Sequence, residues 1–245
     1  MSLNGRAFRA ILFDFYDTLA YLDARKADPL RRRAAEILGL PPEAYFEAWG
    51  RHIDAFMTGQ VRSTAELVRR VLADLGREAP PGAVAEAARL EELARRRGVR
   101  LYSGARAVLR ALRGRGYRLG LVSNVSPLAA QPIDRLGLRE LFDAAVLSCE
   151  VGLLKPDPAI FELALKGLGV GPAEAAFVAD GGFGELDAAA ALGLFTVRAN
   201  LPCQRPDYGS SRRWDREIRE LRELLDLFPG SRSRSQDPWP PALRR

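Results

Sequence analysis

The chain has 245 residues, 47% hydrophobic and 28% charged, with a formal net charge of +6, which describes an ordinary soluble protein large enough for one sizeable core and a smaller accessory unit. No run reaches the roughly 18 apolar residues of a membrane span, the opening residues Met1 to Arg6 lack an apolar signal core, and a cytoplasmic protein without membrane attachment is expected. Cys149 and Cys203 are too few for a disulfide framework or a zinc site, and the positive surplus is spread over helices and tail without interleaved aromatics, which argues against nucleic-acid binding.

The apolar segment from Ala10 ends on Asp14 and predicts a buried strand that stops abruptly on a carboxylate. From about Asp28 to Arg97 the pattern is helical with no strand signal. Pro41-Pro42 opens one helix, Ser63-Thr64-Ala65-Glu66 reads as a capping box for the next, and Pro80-Pro81 precedes a last one. The sole histidine, His52, sits in this block between Trp49 and Phe56 as a satisfied side chain, so a histidine triad is not expected. Arg25, Lys26, Tyr45, Trp49 and Arg51 are the block's residues that could face a crevice, although solvated or core positions suit each of them as well.

After Gly98 the rhythm changes to alternating helices and strands. Helices are predicted over 104–114, 127–136, 158–167 and 185–192, and strands over 117–123, 144–148, 175–179 and 194–198. That alternation implies an α/β fold, a Rossmann-like, doubly wound parallel sheet covered on both faces, with the strand at Asp14 in the same sheet. A helix over 213–228 would dock Ile218, Leu221, Leu225 and Phe228 on the core. The expected organisation is a core domain of residues 1–21 and 99–228, a helical cap of residues 22–98, and a disordered tail of residues 229–245 rich in Pro, Ser and Arg.

Ligands of open α/β sheets bind at the carboxyl ends of the strands, and the polar punctuation of this chain falls there. Asp14 to Thr18 follows one strand, Ser123-Asn124 ends another, Lys155-Pro156-Asp157 precedes a helix, and Asp180 ends a strand five residues before Glu185. Each element alone reads as a turn, a cap or a surface lysine. The order of the four, with the helical block between the first and second, resembles the haloacid dehalogenase superfamily of hydrolases, whose members include many phosphatases.

The resemblance implies that Asp14 is a nucleophile forming a covalent aspartyl intermediate, that Thr18 and Ser123 orient it and the transferred group, and that Lys155 pairs with it. Ser123, Asn124 and Lys155 would bind the substrate. Asp180 and Glu185 resemble the acidic pair of the fourth motif. With Asp14 they would put about two surplus negative charges in a crevice, a situation that a divalent cation relieves. Oxygen-only ligands suit Mg²⁺, with the Tyr16 main-chain carbonyl as a further ligand by resemblance. Asp187 is the alternative partner of Asp180, but a helix starting near Glu185 would carry it away. Gly181, Gly182 and Gly184 allow a tight loop with N–H donors beside the site.

The pattern breaks at Tyr16. Phosphatases of the superfamily usually have a second Asp two residues after the nucleophile, which protonates the leaving oxygen and later activates water. Tyrosine there is what the L-2-haloacid dehalogenase branch has. Asp17 points with Phe15 unless the turn reorients it, so Tyr16 and Asp17 both stand as acid/base candidates. Those dehalogenases work without metal and carry Ser and Asn in the fourth motif and a Tyr six residues after the lysine. Asp180, Gly182 and Phe161 occupy those places here.

The favoured expectation is therefore a Mg²⁺-dependent phosphatase acting on a small phosphorylated metabolite, as monomer or homodimer. A metal-independent 2-haloacid dehalogenase and a binding or regulatory protein with little turnover are the alternatives.

Overall fold

The computed structural model describes residues 7–202 and 211–230, so most of the tail expected to be disordered, and Cys203, lie outside the described residues. The chain enters through β1 (Ala10–Phe13) and β2 (Ala20–Leu22). Five helices follow, α1 (Ala24–Ile37), α2 (Pro42–Arg51), α3 (Ile53–Met57), α4 (Thr64–Asp74) and α5 (Pro81–Gly98). The rest runs β3 (Val99–Leu101), α6 (Ala105–Gly114), β4 (Arg118–Ser123), α7 (Pro127–Arg135), β5 (Ala144–Leu147), α8 (Ser148–Val151), α9 (Pro158–Leu168), β6 (Ala175–Ala179), α10 (Glu185–Ala191), β7 (Phe195–Ala199), β8 (Arg216–Ile218) and α11 (Leu224–Leu227).

Six strands form one parallel sheet in the order β5-β4-β1-β6-β7-β8. Side chains alternate across it. Ile11 and Phe13 join Leu119, Leu121 and Val178 on one face, while Ala10 and Leu12 join Val122, Phe177 and the inner sides of α9 and α10 on the other, as the period of two in a strand requires. Burial on both faces explains why β1, β4 and β6 read as near-continuous apolar runs. The order places β1 in the middle, between β4 and β6, so the loops after these three strands converge, and Asp14, Ser123 and Asp180 each lie just beyond or at a strand end.

The expected helix over 213–228 is corrected. Residues 216–218 form β8, which pairs with β7, and only a short 3-10 turn and α11 follow. Ile218, Leu221 and Phe228 are buried as that reading required, but the sheet edge takes the first of them: main-chain pairing with β7 outweighs a weak helical pattern in so short a segment.

The helices between β2 and β3 enclose an apolar cluster of their own around Tyr45, Trp49, Phe56, Leu67 and Val71. Ser63 caps α4 through its side chain, which accepts from the Glu66 N–H. Glu91, fully buried, accepts from Arg31 Nε at 3.0 Å, and the Arg31 guanidinium lies over the Phe46 ring, so α1, α2 and α5 share one charged anchor. His52 Nε2 lies 2.9 Å from an Asp74 carboxylate oxygen but without hydrogen-bond geometry, so the expected satisfied histidine is replaced by a close contact within the helical layer. Tyr45 and Trp49 belong to this core, and Arg51 is held by Glu47 and Asp74, so none of the three is spare for a crevice. β2 and β3 pair antiparallel at the base, a strand pair that the sequence pattern did not announce, so the chain leaves for the helices and returns from them side by side. Leu128 of α7 reaches into the helical cluster, joining the two layers.

Candidate active site

Asp14 follows the last residue of β1, and its N–H is still held by Val178 O at 3.0 Å, so the sheet fixes its backbone. Its carboxylate is almost fully buried. Ser123 Oγ donates to Asp14 Oδ1 at 2.9 Å, and Lys155 Nζ donates to the same oxygen at 2.6 Å. Among the described residues Oδ2 carries no hydrogen bond, which leaves one oxygen of a fixed carboxylate able to attack while the other is anchored.

Lys155 also contacts Glu185 closely. Burial works against the ammonium, but the charges of Asp14 and Glu185 outweigh it and raise Lys155 above the usual lysine range. Burial pushes Glu185 well above the ordinary carboxylate range, with Asp14 and Asp180 adding to the rise against the pull of Lys155. Asp180 is pushed up to about 6, by burial first and then by the charge of Asp14. One oxygen from each of Asp14, Asp180 and Glu185 can be chosen so that all lie within 4.8 Å of one another. A cluster with more carboxylates than cations, made only of hard oxygen donors, fits a divalent ion such as Mg²⁺.

Glu185 begins α10 and its Oε1 accepts from the Gly181 N–H at 3.2 Å. Gly181 has φ 97 and Gly184 φ 70, backbone that glycine adopts without strain. Asp187 is elsewhere, accepting from the N–H groups of Arg212 and Arg213 at 2.9 and 3.0 Å, so Glu185 and not Asp187 accompanies Asp180.

The remaining expected residues divide. Asn124 does not offer its amide to the crevice in the way expected of a substrate ligand. Nδ2 donates to Lys155 O, and the Lys155 N–H donates to Oδ1, each at 2.8 Å, which makes Asn124 a positioning residue for the lysine. Thr18 is fully buried, and its hydroxyl makes no hydrogen bond to Asp14 or to any other described residue. The Tyr16 hydroxyl donates to Ala129 O at 3.0 Å, which ties the phenol to α7. Asp17 takes φ 58, and the turn closes through its N–H to Ala20 O at 2.6 Å. The backbone thus leaves strand geometry at this residue, and the Asp17 charge is the last of the influences that push Asp180 upward. Phe161 is buried against Phe177 in the core, ring centroids 5.1 Å apart.

Two serines that the sequence did not single out brace the loops. Ser148 Oγ accepts from the Val125 N–H and donates to Val125 O, fixing the turn after Ser123. Ser211 Oγ accepts from the Leu186 N–H at the start of α10. Their partners are 23 and 25 residues away, so no local pattern marks them.

The site thus gathers a buried carboxylate, a buried lysine and an acidic pair in the loops and helix start beyond the central parallel strands. Residues 8–193 match the model of the haloacid dehalogenase-like hydrolases, and the chain belongs to that family. It is 30% identical over 234 residues to the glyceraldehyde 3-phosphate phosphatase of Methanopyrus kandleri, covering 89% of this chain and 96% of that one. It is 35% identical to the phosphoserine phosphatase of Thermus thermophilus over about half of each chain, 53% and 52%. Among solved structures, a 2-haloacid dehalogenase from Pseudomonas syringae superposes with a TM-score of 0.67 at 26% identity, covering 90% of this chain and 97% of that one.

Proposed function

We propose that the protein is a Mg²⁺-dependent phosphatase that hydrolyses a small phosphorylated metabolite through an aspartyl-phosphate at Asp14, the remainder of the core and the helical cap enclosing the substrate. The observation that carries this reading is the clustering of Asp14, Asp180 and Glu185 around Lys155, because buried acids in excess of cations are costly without a divalent ion. The relatives named as phosphatases support it.

In this reading Asp14 Oδ2 attacks phosphorus, the ester oxygen leaves with the P–O bonding pair, and water then hydrolyses the acyl phosphate to restore the carboxylate. Ser123 and Lys155 hold Oδ1, so the attacking oxygen is oriented in advance. Lys155 faces the negative charge that builds on the transferred group. Asp14, Asp180 and Glu185 would hold the cation, which supplies neutralisation of the carboxylates and polarisation of the phosphoryl group. The Tyr16 phenol, engaged by Ala129, is poorly disposed to protonate a leaving alkoxide, so acyl and aryl phosphates, whose leaving groups need little protonation, should be preferred to alkyl phosphates.

Tyr16 is also the specific observation that favours a second reading, a metal-independent 2-haloacid dehalogenase, since a halide leaves without a proton. One experiment separates the two: a phosphate panel including glyceraldehyde 3-phosphate, phosphoserine, acetyl phosphate and p-nitrophenyl phosphate, with Mg²⁺ or with chelator, beside chloride release from chloroacetate and 2-chloropropionate. Phosphate release that requires Mg²⁺ supports the phosphatase. Chloride release indifferent to chelator replaces it with the dehalogenase, and no turnover on either side leaves a binding protein.

A further inference from the structure

A cavity of about 260 Å³ opens between α5 and α7, away from Asp14, Ser123, Lys155, Asp180 and Glu185, and is lined by Arg89, Arg95, Arg96 and Arg135 with Glu92, Leu93, Gln131 and Pro132. Its charge is lopsided. Arg89 is neutralised by a two-pronged pair with Glu86, both bonds 2.7 Å. Arg96 and Arg135 have no carboxylate within ion-pair distance among the described residues, and Glu92 is the only acid in the wall. The C-terminal dipoles of both helices offset part of the charge, but the guanidinium groups of Arg96 and Arg135 still outnumber the one carboxylate of the wall.

The position is as informative as the charge. α5 ends the helical insertion and α7 belongs to the sheet layer, so an occupant would touch both. Arg95 lies 5.9 Å from the centroid of the Tyr16 ring, whose hydroxyl is held by Ala129 of α7. The cavity wall therefore connects through one side chain to the turn that follows the nucleophile.

We propose that this cavity is a second anion site, taking a small molecule with two or more anionic groups, of the oligophosphate class, and that its occupant bridges the helical layer to the sheet layer through Arg96 and Arg135. Guanidinium groups bind phosphate oxygens in pairs, and two arginines on different elements select a ligand with more than one anionic group over a monovalent ion.

The test uses the metal-free protein, because without a cation the cluster of carboxylates at Asp14 repels anions while the arginine cavity does not. Inorganic tripolyphosphate is titrated calorimetrically in the presence of chelator into the wild type, Asp14→Asn, and the double variant Arg96→Ala with Arg135→Ala. The expected result is one saturable site, affinity within twofold in Asp14→Asn, and at least tenfold weaker binding in the double variant. The double variant alters exposed side chains, and its retained phosphatase or dehalogenase turnover, or its thermal transition, checks that it folds. No binding by the metal-free wild type overturns the proposal. So does binding at many weak sites, equal binding in the folded double variant, or binding that changes markedly in Asp14→Asn. None of these outcomes depends on which reaction the active site performs.

Discussion

Asn124 and Lys155 are joined by two hydrogen bonds of 2.8 Å that use both ends of the carboxamide, one to the lysine carbonyl and one from its N–H. The sequence places both residues among the groups that touch substrate, whereas the structure has one hold the other. Because Lys155 Nζ sits 2.6 Å from Asp14, this grip bears on the geometry of the Asp14 carboxylate at one remove. Asn124→Ala is expected to lower kcat by on the order of 10-fold, the equivalent of about 1.4 kcal/mol, with KM changed less. A rise in KM with kcat untouched would instead mean that Asn124 binds substrate.

Asp14→Asn removes the attacking carboxylate and is expected to abolish turnover on every substrate. Ser123→Ala leaves Asp14 Oδ1 with the Lys155 bond alone, and a partial loss, on the order of 10- to 100-fold in kcat, is expected from losing one orienting donor. Steady-state rates with the best substrate of the panel measure both. Residual turnover of Asp14→Asn equal to that of Ser123→Ala would contradict the nucleophile assignment.

These residues were legible in the sequence for a physical reason. Asp14, Ser123, Asn124, Asp180 and Glu185 each sit at or next to a strand or helix end, and Lys155 lies in the short loop between α8 and α9; strand ends are marked by a change from apolar to polar residues that needs no partner to be read. The sheet was legible likewise, because strands buried on both faces leave runs such as Ala175 to Ala179. What escaped depends on distant partners. Ser148 and Ser211 act through bonds to segments more than 20 residues away, and β8 is a strand only because β7 offers it an edge. The turn at Asp17 takes φ 58 at a residue that is not glycine, a conformation that strand periodicity cannot announce.

Cation binding should depend on pH with a definite sign. Asp180 is pushed up to about 6 from 3.8, by burial and then by Asp14, so in the metal-free protein its proton is held more tightly folded than unfolded. The stability this confers is full below the unfolded pKa and is lost as pH rises through about 6. Mg²⁺ competes with that proton and restores stability where the proton has left. Thermal denaturation is therefore expected to give a larger Mg²⁺-induced rise in Tm at pH 7.5 than at pH 5, and the difference should shrink in Asp180→Asn, where only Glu185 is left with a raised carboxyl. An equal rise at both pH values would remove Asp180 from the ligand set.

Tyr16→Phe deletes a hydroxyl that already has a protein partner, Ala129 O. If the phenol only tethers the turn to α7, the variant keeps its rate on p-nitrophenyl phosphate within about threefold and loses roughly 1 kcal/mol of stability, the usual net worth of one hydrogen bond. In wild-type enzyme, p-nitrophenyl phosphate should be turned over faster than a simple alkyl phosphate. Equal rates on the two, with chemistry limiting, would mean that an efficient proton donor is present after all.

Contact between the helical layer and the sheet layer can be tested at Gly59, which follows α3 and lies against α8. It has φ +74, and a Cβ built there would stand 2.4 Å from Cys149 O, a main-chain atom that cannot swing aside. Alanine at this position meets two penalties, the left-handed backbone, worth about 1–2 kcal/mol, and the clash. Gly39 separates them, because it has φ +67 with nothing within 4 Å of its Cβ position. Gly39→Ala is expected to lower Tm and leave kcat/KM as it was. If the helical layer encloses the substrate as proposed, Gly59→Ala should lower Tm further and reduce kcat/KM by on the order of 10-fold, since relieving the clash moves α3 off α8, and misplacements of about 1 Å can cost that much or more. If the two variants lose stability alike and both keep full activity, the approach of Gly59 to Cys149 is packing alone and does not set the geometry in which Asp14 works.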